Sequence, residues 1–219
     1  MSNTQALVAR YFSVLNSLVT KTAVTGACYA TDVLAPASLC LADGLDRFLE
    51  LGRTAHERGR KLIFIGNGAS ATMAAHFALD FSKNASIRAL GLIDGAMLTA
   101  LVNDIGPEAM FAKQIEFYAQ DGDVLVAISS SGSSPNILAA AAQARKSGCS
   151  IISFTGFDPT NPLRLSGDLN FHVPAEEYGF VEVTHNALIH AILDLSLGWG
   201  TEDDRNPGAL KRCSDGQKG

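Results

Sequence analysis

From Lys61 onward the chain settles into one rhythm: short apolar runs, "KLIFI", "ALGLI", "DVLVAI", "SIISF" and "NFHV", recur with helix-spaced segments between them. Apart from the last, these runs are too continuously apolar for a sheet with one wet face, so both faces must be covered. Strands alternating with helices in this way predict a parallel α/β sheet with helices on both sides. The intervening helices are expected at roughly 70–83, 107–119, 134–147 and 182–197. Such sheets bind ligands beyond the carboxyl ends of their strands, where the βα turns gather.

Residues 1–60 read differently, as helices. "TQALVARYFSVLNSLVTK" sets Leu7, Phe12, Val14, Leu15, Leu18 and Val19 along one helical side, and "SLCLADGLDRFLELGRTAHERG" repeats the spacing up to Arg58-Gly59-Arg60. Pro36 is expected to open that second helix, and His56, near its charged end, to face solvent. No repeat and no low-complexity linker divides the chain. With 219 residues and 47% hydrophobic content, one core is expected. The organisation is then an N-terminal helical extension over 1–60, an α/β core over 61–197 and a loosely ordered tail over 198–219, where Gly, Asp and Lys accumulate.

A formal charge of -5 and a pI near 5.5 supply no basic field for nucleic acid or an anionic membrane, so any bound phosphate must be held by local geometry. No apolar run approaches the roughly 18 residues of a membrane span, and Met1-Ser2-Asn3-Thr4 lacks the basic start of a signal peptide. The protein is expected to be soluble and cytoplasmic. Cys28, Cys40, Cys149 and Cys213 are scattered without a C-x-x-C pair and are expected to be reduced, with Cys149 acting as a small buried hydrophobe at a strand entrance.

Two βα turns have unusual composition. Gly66-Asn67-Gly68-Ala69-Ser70 follows "LIFI"; Ser129-Ser130-Ser131-Gly132-Ser133-Ser134 follows "VLVAI" and precedes a helix near Pro135. Small residues let backbone amides approach a ligand, hydroxyls add uncharged donors, and a helix N-terminus adds unpaired N–H groups with partial positive charge. Five serines in six positions exceed what one helix cap requires. Neither turn matches a dinucleotide or P-loop fingerprint, so no nucleotide cofactor is expected. Beyond the turns, His76 and Asp80 lie at i and i+4 on one helix face. Glu182 and His190, eight residues apart, share a side of the last helix with His185 between them. Together these two pairs suit acid/base or metal chemistry.

The segments "GNGAS", "HFALDF", "VNDIG", "DVLVAISSSGSSPNIL", "AAAQARKSGCSIISFTG" and "HNALIH" stand in the order and approximate spacing of sugar isomerase (SIS) domains. Over residues 40–196 the chain most resembles the phosphoheptose isomerase branch, and the helix before it fits that branch's N-terminal extension. The resemblance implies a three-layer sandwich with a five-stranded parallel sheet, a homotetramer with active sites at subunit contacts, and conversion of sedoheptulose 7-phosphate to a heptose 7-phosphate. Carried over by position, Asn67, Gly68, Ala69, Ser70, Ser129, Ser130, Ser131 and Ser134 match sugar-phosphate-binding turns, and Asn103-Asp104 match another substrate-contacting pair. His76, Asp80, Glu182 and His190 match positions that bind zinc and transfer protons; Glu182 also stands among the substrate-binding positions. Asp80 is the expected base and His190 the expected acid. The chain departs from the branch in having Asp80 for Glu, Glu182 for Gln and Asn84 for Arg, and in a shorter connection to "ALGLI". A non-catalytic binding protein of the family, associated with a replication initiator, or a sugar-phosphate sensor is the alternative; the former lacks the acid and the terminal histidine that Asp80 and His190 keep here.

Overall fold

A computed structural model describes residues 3–27 and 36–200. In chain order the elements are α1 (Asn3–Lys21), β1 (Ala23–Ala27), β2 (Pro36–Leu39), α2 (Leu41–Glu57), β3 (Leu62–Gly66), α3 (Ala69–Lys83), β4 (Ala89–Gly91) and α4 (Gly95–Ile105). There follow α5 (Met110–Tyr118), β5 (Val124–Ser129), α6 (Pro135–Lys146), β6 (Ser150–Thr155), α7 (Pro162–Ser166), β7 (Leu169–His172) and α8 (Tyr178–Ser196). Among the described residues no helix is long and apolar enough to cross a membrane.

The sheet has seven strands in the order β2-β1-β7-β6-β5-β3-β4. The expected parallel five, β4-β3-β5-β6-β7, form its body. The other two come from the segment expected to be helical: β1 runs antiparallel to both β7 and β2. Pro36 therefore opens a strand rather than a helix, and α2 begins only at Leu41, with Cys40 Sγ accepting from the amide of Asp43 at 3.3 Å. A proline is tolerated at the first residue of an edge strand, where its missing N–H costs no ladder bond. The helix expected at 107–119 is α5, and α4 before it, ending at Gly106, is a helix the sequence reading did not list. His56 is partly buried, its Nδ1 accepting from the amide of Arg88 at 3.1 Å.

The continuous apolar runs are explained by burial on both faces. Phe64, Val126, Ile152 and Phe154 point to one side, where Phe48 of α2, Phe77 and Phe81 of α3 and Ile189 of α8 pack on them. Ile63, Ile65, Leu125, Ala127 and Ile151 point to the other, against Phe111 of α5, Ile137 and Ala141 of α6 and Leu163 of α7. The register pairs Ile63 with Leu125 and Phe64 with Val126, so the two-residue alternation stays in phase across strands. Cys149 is 2% exposed, and its thiol is pushed up to about 11, first by burial and then by nearby Asp123.

Candidate active site

The parallel strands reverse their order of addition between β3 and β5, since β4 lies to one side of β3 and β5, β6 and β7 to the other. At such a reversal the helices leave toward opposite faces and a crevice opens at the carboxyl ends of the strands. Here α3 leaves β3 for one core and α6 leaves β5 for the other. The two turns singled out in the sequence are the walls of that crevice.

In the first turn, Gly66 is packed so closely that an added Cβ would stand 2.5 Å from the backbone of Ser70, and the amide of Ser70 donates to Asn67 O at 3.0 Å. Asn67, Gly68 and Ala69 are exposed at the start of α3, whereas Ser70 is 4% exposed and packs inward. In the second turn Ser129 and Ser130 are buried, and Ser130 Oγ has no hydrogen-bond partner among the described residues. Ser131 Oγ accepts from Ser133 N at 3.3 Å, and Ser134 sits at the N-cap of α6 without its hydroxyl making a capping bond. Hydroxyls left free above a helix N-terminus are positioned to donate to an anion. Gly132 holds φ +60 and lies against Asn161, whose side-chain oxygen would be 1.9 Å from an added Cβ. Asn161 in turn donates to Asp158 O at 2.8 Å and accepts from Arg164 N at 2.9 Å, bracing the serine turn from the β6 loop.

The sequence reading missed one residue here. Asn136, 8% exposed in the first turn of α6, exchanges two hydrogen bonds with Asn67: Asn67 Nδ2 donates to Asn136 Oδ1 at 3.0 Å, and Asn136 Nδ2 donates to Asn67 Oδ1 at 2.9 Å. An amide following Ser-Pro at a helix start was the available signal. Its partner lies 69 residues away.

On α3 the residues Met73, Ala74, Phe77, Ala78 and Phe81 form the buried stripe, which places His76 and Asp80 on its rim. On α8 the stripe through Leu188, Ile189 and Ile192 leaves His190 on a matching rim. The two rims meet. His76 Nε2 lies 3.2 Å from Asp80 Oδ2, the His76 and His190 rings stand 5.3 Å apart, and Phe77 backs His190 at 4.9 Å. One donor atom from each of His76, Asp80 and His190 lies within 4.8 Å of the other two. Ligands about 2.0–2.1 Å from a tetrahedral ion are themselves about 3.4 Å apart, so two imidazoles and a carboxylate at this spacing fit a zinc-type ion with a position left open. Glu182 is outside this group. Eight residues of α-helix set the backbone of Glu182 about 12 Å along the axis from that of His190. Of the four residues expected as ligands, His76, Asp80 and His190 converge within the subunit. Asn103 and Asp104 are exposed on the outer helix α4, with Asn103 Nδ2 donating to Asp104 Oδ1 at 2.9 Å.

His185, between the two outer positions of α8, has no part in this group. It is fully buried and directs Nε2 to the main-chain oxygen of Thr155 at 3.0 Å. A carbonyl only accepts, so Nε2 carries the proton and Nδ1, which has no partner among the described residues, is a bare acceptor. Thr155 Oγ1 meets His172 Nδ1 at 3.1 Å. Both histidines are held down to about 4, first by burial; Arg164 adds to the effect on His172.

A family model described as SIS domain matches residues 29–156. The phosphoheptose isomerase of Geobacter sulfurreducens is 37% identical over 161 residues, covering 71% of this chain and 85% of that protein. The phosphoheptose isomerase of Pelobacter propionicus is 39% identical over 147 residues, covering 64% and 77% respectively. Among solved structures, the phosphoheptose isomerase from Neisseria gonorrhoeae superimposes with a TM-score of 0.74 at 28% identity, covering 89% of this chain and 99% of that one.

Proposed function

This chain belongs to the SIS domain family, in its phosphoheptose isomerase branch, and on that premise we propose that it is an aldose–ketose isomerase converting D-sedoheptulose 7-phosphate to D-glycero-D-manno-heptose 7-phosphate. The observation that carries this reading is the convergence of His76, Asp80 and His190 from two helices beside a crevice walled by the serine turn. A binding protein or sensor needs the turn alone and has no use for the convergence.

The serine turn grips the phosphate through Ser129, Ser130, Ser131 and Ser134 and the first amides of α6. Gly68, Ala69 and Ser70 let the opposite wall approach the sugar, and Asn67, Asn103 and Asp104 contact its hydroxyls. His76 lies seven residues into α3, about 10 Å along the axis from the turn, so grip and chemistry act on different ends of one substrate. Binding energy at the phosphate is thereby converted into orientation at the carbonyl.

Isomerisation moves a proton between neighbouring carbons through an enediolate, which needs a base at carbon and an acid at oxygen. Asp80 takes the C1 proton of the ketose and His190 delivers a proton to the C2 oxygen; Asp80 then returns its proton at C2 as the C1 hydroxyl gives its own to His190 and becomes the aldehyde. His76, 3.2 Å from the Asp80 carboxylate, holds that group in place. Zinc held by His76, Asp80 and His190, when bound, would polarise the carbonyl and offset negative charge developing on its oxygen.

The working unit is a cytoplasmic homo-oligomer, a tetramer as the family implies. Leu7, Val8, Tyr11, Phe12 and Val14 leave an apolar side of α1 exposed, and α4 buries none of its residues within the subunit. Glu182 joins the metal and substrate groups, as the family implies. Residues 1–60 act as part of the same domain as 61–197, because β1 and β2 extend its sheet.

The test is incubation of the purified protein, with and without added zinc, with sedoheptulose 7-phosphate and a panel of shorter ketose phosphates. Conversion of the heptulose supports the reading; conversion of none of them overturns it and leaves a sugar-phosphate sensor.

A further inference from the structure

We propose that Asn136 is a positioning residue that fixes which hydrogen-bonding face Asn67 presents to the sugar; the inference rests on the isomerase reading and extends it. Asn136 Oδ1 lies 3.0 Å from the amide nitrogen of Ile137. A backbone N–H can only donate, so the oxygen of this amide must be on that side and its NH2 on the other. That sets Asn67 in turn: its Oδ1 faces the Asn136 NH2, and its Nδ2 faces the Asn136 oxygen. Neither amide can flip without opposing two acceptors or two donors.

A carboxamide has two N–H donors and two acceptor lone pairs. Asn136 occupies one of each on Asn67, leaving one N–H and one lone pair on an exposed side chain at the mouth of the crevice. This remaining face donates to a sugar oxygen and accepts from a hydroxyl, which suits the neighbouring carbonyl and hydroxyl of an open-chain ketose. Because Asn136 is in the first turn of α6 and Asn67 precedes α3, the same pair spans the crevice between two helices that leave toward opposite faces. The sugar contact and the phosphate grip then keep one spacing.

The discriminating variants are Asn136→Asp and Asn136→Ala, made alone and with Asn67→Ala. Aspartate keeps the shape and still accepts from Ile137, but its second oxygen opposes Asn67 Oδ1 and no rotation of Asn67 satisfies both. Each single variant is expected to lower kcat on sedoheptulose 7-phosphate by about 10- to 100-fold while KM changes less than about threefold, because the serine grip is untouched. On an Asn67→Ala background the same changes are expected to cost less than about threefold more, the mark of one residue acting through another. Losses that multiply fully in the double variant, or that follow a fall in thermal stability, would make Asn136 merely structural and overturn the proposal. A second measurement needs no turnover: the Asn67 side-chain amide proton bonded to Asn136, identified by its loss in Asn67→Ala, is expected to exchange slowly in the native protein and fast in Asn136→Ala. Fast exchange in the native protein overturns the proposal; slow exchange without conversion of any sugar overturns the isomerase reading alone.

Discussion

The rings of His76 and His190, carried on α3 and α8, stand edge to face 5.3 Å apart with Asp80 completing the group. His190 therefore comes to the chemistry from a different helix than the carboxylate and, among the described residues, makes no hydrogen bond to the serine turn. His190→Ala is expected to lower turnover by at least about 100-fold while leaving affinity for inorganic phosphate, read by calorimetry, largely intact. Unchanged turnover would refute its role as acid.

Asp80 is one methylene shorter than the glutamate the family usually carries, yet its carboxylate already reaches His76 Nε2 at 3.2 Å. The group is closed with the short acid. Asp80→Glu is expected to push the carboxylate past this position and slow conversion of sedoheptulose 7-phosphate, by about 10-fold or more. A faster reaction would mean that reach limits the native enzyme.

Zinc binding should be visible without any substrate. At about 100 times its dissociation constant a ligand of the folded state adds about 2.7 kcal/mol, so zinc is expected to raise Tm in the native protein, chelation to lower it again, and His76→Ala to abolish the response. An equal rise in that variant would place the metal elsewhere.

Gly132 combines φ +60 with a Cβ position 1.9 Å from Asn161 Oδ1. Alanine there must displace the side chain that caps α7 and braces the serine turn. Gly132→Ala is expected to cost about 2–3 kcal/mol in urea unfolding and to weaken inorganic phosphate binding further than the stability loss predicts.

Two buried histidines govern acid sensitivity. His172 and His185 bind a proton near pH 6.5 when unfolded but only near about 4 when folded. Between those values the unfolded chain holds more protons, so stability falls as pH drops from about 6.5 to about 4 and is fully present above that window. Each contributes on the order of 3 kcal/mol across it. His185→Gln, whose amide can still donate to Thr155 O, should flatten the fall measured by urea unfolding between pH 7 and 5. An unaltered slope would show that His185 does not titrate this way.

The parallel core was legible because "LIFI", "VLVAI" and "SIISF" lack the polar alternation of a half-wet sheet, and burial on both faces is the only way to remove that surface from water. The histidines and the acid were legible from side-chain type and helical spacing. The β1–β2 hairpin was not: Val24-Thr25-Gly26 and Ala37-Ser38 are short and small, and they become strands because β7 offers an open edge. The same limit hid Asn136, whose role exists only once Asn67 stands opposite.

The pairing of β1 with β7 also sets an order in time. Thr25 meets Asn170, 145 residues later, and the register runs from Ala23 opposite His172. At roughly 5–20 residues per second of synthesis, about 7–30 s pass between the appearance of β1 and that of the strand it docks on. Through that interval the hairpin has no sheet to join, while β3, β5 and their helices already have each other. The first strands made are thus among the last that can be placed, and closure of this sheet waits on the ribosome.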